Sequence, residues 1–534
     1  MTILMLTGEP LTIPDVVAVA RERRPVALAP LAIERISGAR AFVEQIVAEQ
    51  QVCYGVTTGF GALSKVHIPT EHLGELQHNL VRSHAAGTGT PLPPDAVRAM
   101  LVLAAASLSR GASGVRCQVV EALVALLNHG VVPLVPSRGS VGASGDLAPL
   151  AHIALVLIGE GYARLQNTES SIRNSVDNSA LAMMWTTYSD PWLSYSEILS
   201  GKQALEQAGL SPLNLEAKEG LALLNGTHLM AGMGALLVHD TRRLLLAAEV
   251  AAAMSLEGAL GTHTALDPRI HALRPQPGQA ASAARLRELL HGSAIAQSHR
   301  DDPRVQDPYS LRCIPQVLGA ARDALAYVEQ VIASELGAVT DNPLLFAADH
   351  AILSGGNFHG QPLATALDLL AIGLAQIAGF SERRAFLLLS AWEPEMHLTP
   401  FLTPRPGIQS GLMIAQYTAA ALVAEIRALA QPASIASLPT SAGMEDWNSM
   451  GATAALQAYQ ALDLARNVVA IELLCAAQAL EQHRPLTSGH GVEAAYALLR
   501  QRVPALTSDR PPAPDIAALA SMIERGEFEQ LTDS

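Results

Sequence analysis

GSVGASGDLAPLAHIALVLIGEG, residues 139–161, is the stretch on which the reading of this chain turns. Its first part sets Gly139, Gly142 and Gly145 around Ser144, with a second serine, Ser140, at its start. Its second part is an apolar run with Pro149 near the start, where a missing N–H costs a helix least. Four chemistries compete for GSVGASGD. A phosphate cradle of the P-loop kind closes on Gly-Lys-Ser/Thr, whereas here Asp146 stands where an anion would bind. A nucleophile elbow needs G-x-S-x-G, and Asp146 occupies the position of its last glycine. A plain glycine-rich turn ahead of a helix would suit any stretch of this composition. In the fourth reading Ala143-Ser144-Gly145 cyclises on itself. The amide nitrogen of Gly145 attacks the carbonyl carbon of Ala143, and two waters leave, one of them carrying the Ser144 hydroxyl. An electrophilic methylidene-imidazolone ring remains. Closure needs a sharply bent backbone and ends without bulk, which alanine and the glycines supply.

Around this loop the chain reads as a large helical assembly. It has 534 residues, 49% hydrophobic and 16% charged but only 4% aromatic, so its apolar content is mostly aliphatic. That favours close-packed helices over an aromatic-rich β-sandwich. A net charge of −14 argues against a nucleic-acid partner, which would require a basic footprint. The four cysteines, Cys53, Cys117, Cys313 and Cys475, form no CxxC pair, so neither a disulfide framework nor a cysteine metal site is expected. A cytoplasmic setting fits that usage. The start, MTILMLTGEPLTIPDVV, lacks a basic leader and does not read as a signal peptide. The run 244–260 is broken by Glu249 and Glu257, so no membrane span is expected.

Helical periodicity predicts short helices within 12–50 and long ones over 216–260, 314–337, 362–390, 410–430 and 450–482. The fold class expected is all-α, a long-helix bundle with a smaller N-terminal part. That part spans 1–115, with a Gly/Thr loop at 52–65 and His84. The bundle spans 116–534 and carries loop 139–146. Residues 163–200, richer in Ser, Asn and Asp, read as an irregular insertion.

The stretch 139–161 resembles the signature of the histidine and aromatic amino acid ammonia-lyases and aminomutases, and the similarity runs from about Leu11 to about Phe528. The resemblance implies the helical fold of those enzymes and a built-in prosthetic group, 4-methylidene-imidazol-5-one (MIO), formed from Ala143, Ser144 and Gly145. No external cofactor and no metal are implied. Eliminating ammonia from an α-amino acid requires loss of a barely acidic β-proton and of a poor leaving group. Ordinary side chains offer no strong electrophile for the amine, and MIO is one.

Further motifs carry bland readings that the resemblance displaces. In YGVTTGFG, 54–61, Tyr54 alone would be a packed loop aromatic. In the family the tyrosine of this loop acts in proton transfer at the β-carbon, which asks a phenol titrating near ~10 for a partner or a shift. Asn225-Gly226-Thr227 is formally a glycosylation sequon, but the family's matching asparagine sits at MIO, so Asn225 is a site candidate. VQDPYSLRC, 305–313, brings Gln306, Tyr309 and Arg312 together, the last two on one face if helical. The family uses such an arginine for the substrate carboxylate, with the glutamine and tyrosine beside it. SGGNFHGQP supplies Phe358, and the helical stretch around Glu425 supplies a carboxylate whose family counterpart faces the pocket.

Substrate choice turns on Ser83-His84, the pairing seen in histidine-specific members, where the histidine faces the imidazole. His84 and Glu425 together would meet both ring nitrogens, and such a polar pocket rejects rings lacking them. The reaction implied is elimination of ammonia from L-histidine to trans-urocanate by a homotetramer whose sites each draw on three subunits. Two departures stand against it. Ile314 replaces a usual glutamine, and Met444 replaces the glutamine of an NQED stretch. A tyrosine or phenylalanine ammonia-lyase or 2,3-aminomutase therefore stays open, as does a catalytically silent helical paralogue kept for assembly or regulation.

Overall fold

Helix Pro94–Leu108 shows how this composition folds: thirteen of its fifteen residues are buried, among them five alanines. A helix apolar all round must be enclosed by others, and alanine lets the backbones come close. The computed structural model describes residues 2–61, 65–166, 198–301, 303–391 and 393–532. Long helices dominate them, as expected for the all-α class.

The chain divides into two compact units. The first comprises Met1–Leu236, Gln330–Leu367 and Pro432–Leu456, and the second comprises Leu237–Glu329, Asp368–Gln431 and Gln457–Ser534. The boundary expected at 115/116 falls inside the first.

In the first unit α1 (Ile13–Ala20) and α2 (Pro30–Ala48) are joined through a strand, Val26–Leu28, that pairs in parallel with Leu4–Leu6. A capping box at Thr12 and Asp15 starts α1. Fully buried Arg98 donates to the carbonyls of Val19, Ala20 and Leu127, closing the ends of α1 and of helix Cys117–His129. Burial lowers its guanidinium to about 10. Three elements then frame the loop at 139–146: α3 (Leu73–His84), α4 (Leu147–Leu157) and α5 (Glu219–Leu224). Of the segment read as an insertion, 167–197 lie outside the described residues, while its base is a sheet in which Tyr162–Leu165 pairs with Val131–Pro133 and with Leu199–Ser200.

The second unit draws on longer helices, including Met413–Leu429 and most of Gly451–Glu481. Its centre holds a buried pair, Arg384 and Glu472, with Ser255 and Ser381 donating to the same carboxylate. Ile314, fully buried, opens helix Ile314–Glu335 there as a packing residue. Among the described residues one helix, Gln361–Ser390, is long and apolar enough to cross a bilayer. Packing accounts for its character, since Leu363, Leu367, Leu374 and Leu388 are fully buried.

The helix expected over 216–260 is interrupted. α5 ends at Leu224, Asn225 is extended, Gly226 has φ +152°, and a new helix runs from His228 to Gly258. Periodicity passes through the break because its flanks are equally apolar. What opens it is Gly226, which turns its carbonyl out of both helices and onto loop 139–146.

Candidate active site

Loop 139–146 is clamped on both sides. Gly145, at φ +76°, bridges in parallel to Gly226, and a Cβ on it would overlap the Gly226 carbonyl. The next amide, Asp146 N, donates to Gly226 O at 2.7 Å. The buried Asp146 carboxylate accepts from Leu229 N and Met230 N, at 2.9 and 3.1 Å, where helix His228–Gly258 begins and its first amides lack partners. Burial still pushes this carboxyl up to about 7 against those donors and Ser140. On the other side Ser449 Oγ donates to Gly142 O at 3.0 Å, and Met450 N to Val141 O at 2.9 Å.

Ser144 is thereby presented to a cavity of about 760 Å³ within the first unit. Tyr54, His84, Ala143, Asn225 and Phe358, all expected from sequence, line it. Tyr54 lies in a loop whose buried amides are served by its own threonines: Cys53 N donates to Thr57 Oγ1 at 2.9 Å and Gly55 N to Thr58 Oγ1 at 3.3 Å. That explains the Thr-Thr pair, and Gly61 N in turn donates to the Tyr54 hydroxyl at 3.4 Å.

His84 is the last residue of α3, with Nδ1 2.9 Å from Leu80 O. A carbonyl can only accept, so Nδ1 carries the proton of that bond, and the neutral tautomer this bond selects has Nε2 as its acceptor. Asn225 Nδ2 donates to Asn342 O and Asp341 Oδ1, at 3.2 and 3.4 Å. Behind it Lys218, fully buried at φ +74°, donates Nζ to Asp341 Oδ2 at 2.6 Å. A left-handed lysine costs about 1–2 kcal/mol of backbone strain, so its place is set by that partner.

Glu445, absent from the residues expected, is the carboxylate at Ser144: its Oε1 accepts from Ser144 Oγ at 3.1 Å and its Oε2 from Thr440 Oγ1 at 2.7 Å. An antiparallel bridge between Thr440 and Glu445 fixes that geometry. Periodicity carries no signal for a residue in such an irregular turn. Its neighbours Met444 and Trp447 are largely exposed and line the same cavity, as do Phe60 and Leu80.

A sequence model of the family described as aromatic amino acid lyase matches residues 11–501. The chain belongs to this family. It is 49% identical to a histidine ammonia-lyase of Anaeromyxobacter sp. (strain K), over 99% of this chain and 100% of that one. Among solved structures it is similar to histidine ammonia-lyase from Trypanosoma cruzi, at 36% identity and TM-score 0.87 over 99% of this chain and 95% of that one. It is equally similar to tyrosine aminomutase from Streptomyces globisporus, at 34% identity and TM-score 0.89 over 100% and 99%. As an aromatic amino acid lyase it is a carbon–nitrogen lyase.

The family depends on MIO in general, and the residues here fit its formation. Ala143 is buried and small, Gly145 and Gly142 hold positive φ that a side chain would strain, and the Ser144 hydroxyl is already hydrogen-bonded.

Four other residues of this aromatic amino acid lyase do not line the cavity; they lie in the second unit. Gln306 and Arg312 line another cavity there, of about 800 Å³. Tyr309 and Arg312 share one face of a short helix, the guanidinium 4.5 Å from the ring centroid, while Tyr309 is 68% exposed. Glu425 is exposed on Met413–Leu429, so within the first unit the carboxylates lining the cavity are Glu445 and Asp446, with Glu445 the one bonded to Ser144, and not Glu425.

Proposed function

We propose that the protein is a histidine ammonia-lyase, converting L-histidine to trans-urocanate and ammonia. One observation carries the reading: a single cavity holds Ser144, the tyrosine Tyr54, and a histidine whose free ring nitrogen is an acceptor. His84 Nε2 would take the N–H of the substrate imidazole, and Glu445 would take a second proton where that ring is cationic. Near full-length identity of 49% to a histidine ammonia-lyase supports the same choice.

MIO, formed from Ala143, Ser144 and Gly145, supplies the electrophile for the substrate amine. Tyr54 accepts the β-proton, and the amide donated to it by Gly61 stabilises charge on its oxygen. Asn225 holds the amine. Phe358, Leu80 and Phe60 exclude water around the reacting carbons. Arg312, with Gln306 and Tyr309, would bind the substrate carboxylate from another copy of the chain in a cytoplasmic homotetramer, and Glu425 would join the site in the same way.

A tyrosine-directed reaction is the second reading. Met444 and Trp447 make one wall apolar, and the tyrosine aminomutase likeness favours it. Incubation with L-histidine, L-tyrosine and L-phenylalanine, following urocanate, coumarate and cinnamate by absorbance and β-amino acids by chromatography, decides between them. Urocanate is expected. Coumarate or β-tyrosine without urocanate would overturn the histidine assignment, and no product from any of the three would leave the silent paralogue.

A further inference from the structure

We propose that Lys218 and Asp341 are positioning residues for the reaction, orienting the amide of Asn225 so that its oxygen and not its nitrogen faces the cavity. The inference rests on the reading of Asn225 as the residue that holds the substrate amine.

Asn225 meets two groups on its inner side, the carboxylate of Asp341 and the carbonyl of Asn342. Both only accept, so the NH2 must turn inward and the oxygen outward, whatever the two ends of a planar amide would choose in water. An outward oxygen accepts from an ammonium or amine. An outward NH2 would repel it.

Asp341 can play this part only while ionised and correctly rotated. It is 3% exposed, and one of its oxygens takes the Lys218 ammonium at 2.6 Å while the other takes Asn342 N at 2.7 Å and Asn225. The lysine therefore assigns the two oxygens: one to the cation, one to the amides. Lys218 itself is fully buried and does not line the cavity, so it reaches the Asn225 amide through Asp341. The segment that carries it, ahead of α5, also carries Asn225 at its other end, seven residues on.

Asp341→Asn tests the relay because it keeps the shape and removes one acceptor. The Lys218 ammonium holds the remaining oxygen, which turns the new NH2 toward both Asn225 and Asn342 N. Relieving the donor–donor clash turns the Asn225 NH2 into the cavity, against the pull of the Asn342 carbonyl that remains. The expected result with L-histidine is a kcat about 100-fold lower with KM within about threefold, the range in which such supporting residues act. Lys218→Met in the same chain frees the oxygen to return to Asn225, so the double variant should run about tenfold faster than Asp341→Asn alone. A merely structural pair would give the opposite, a double variant slower than either single one, and that result overturns the proposal. Peptide mass over residues 139–150 is read for every variant, to show that the loss of two waters is complete.

A second readout needs no turnover. Apparent Tm at one scan rate is compared for Asp341→Asn in the parent chain and in Asn225→Ala, where no amide is left to clash. The drop should be less than half as large in Asn225→Ala, and equal drops overturn the orientation. If the parent chain forms no urocanate, the functional reading fails and the Tm comparison alone decides the amide; the same holds for any variant with an incomplete ring.

Discussion

At Gly145 a single hydrogen separates a workable loop from a blocked one. Any side chain there meets the Gly226 carbonyl and is strained at φ +76° besides. Gly145→Ala is expected to leave the 139–150 peptide at its unmodified mass, and a peptide lighter by two waters would refute that. Tyr54→Phe keeps the ring and removes the hydroxyl that Gly61 N reaches. It should lower kcat by roughly 10²–10⁴, the share general acid–base catalysis ordinarily supplies, while the peptide mass stays that of the parent. Legibility at this scale came from motifs read through the family they resemble. Ser144, Tyr54, His84, Asn225 and Phe358 stand in such motifs, and all five line one cavity. Glu425 has a helical address that sequence can read, yet Glu445 is the carboxylate that reaches Ser144, from a turn held by Thr440. Sequence periodicity has nothing to say about a residue positioned by a bridge.

Among elements, the loop and the start of helix His228–Gly258 behave as one piece, because Asp146 spends its carboxylate on the first amides of a helix it does not belong to. Asp146→Ala leaves those two buried donors without a partner, at about 1–3 kcal/mol apiece. A clear fall in urea midpoint is expected, together with a smaller fraction of peptide 139–150 lacking two waters. Asp146→Asn, which retains an acceptor, should recover most of both; equal effects from the two substitutions would show that the side chain serves another purpose. The long helices at Ile314–Glu335, Gln361–Ser390 and Gly451–Glu481 lie close to where their period places them. The interruption at Asn225 escapes that method because α5 and its successor are both buried, and only a long-range partner, the loop at 139–146, explains the gap.

Over the whole molecule, buried titratable groups of opposite sign set the pH response. Desolvation lowers His152, His228 and His263 to about 4. Between there and the unfolded value near ~6.5 the unfolded chain binds protons that the folded chain refuses, so their contribution to stability is lost as pH falls. Desolvation raises Asp146 and Glu257 to about 7, and these keep a proton in the fold that the unfolded chain has released, so their contribution is lost as pH rises through the same window. The two sets oppose each other. His228 is the clearest member of the first, since neither of its ring nitrogens has a hydrogen-bond partner. His228→Leu should remove about one proton from the uptake on unfolding, or roughly 1.4 kcal/mol per pH unit between pH 4.5 and 6.5. Urea titrations across that range measure it, and an unchanged slope would contradict a neutral buried ring.

The close approach of Gly145 to Gly226 also bears on how such an enzyme changes its diet. Two chain segments 81 positions apart in sequence are welded at a point with no room for an atom, so the ring-forming triad and Asn225 must move together or not at all. Descendants that acquire new substrates therefore have only half a wall to experiment with. Variation should collect at Leu80, His84, Met444 and Trp447, while the welded half passes unaltered from one specificity to the next.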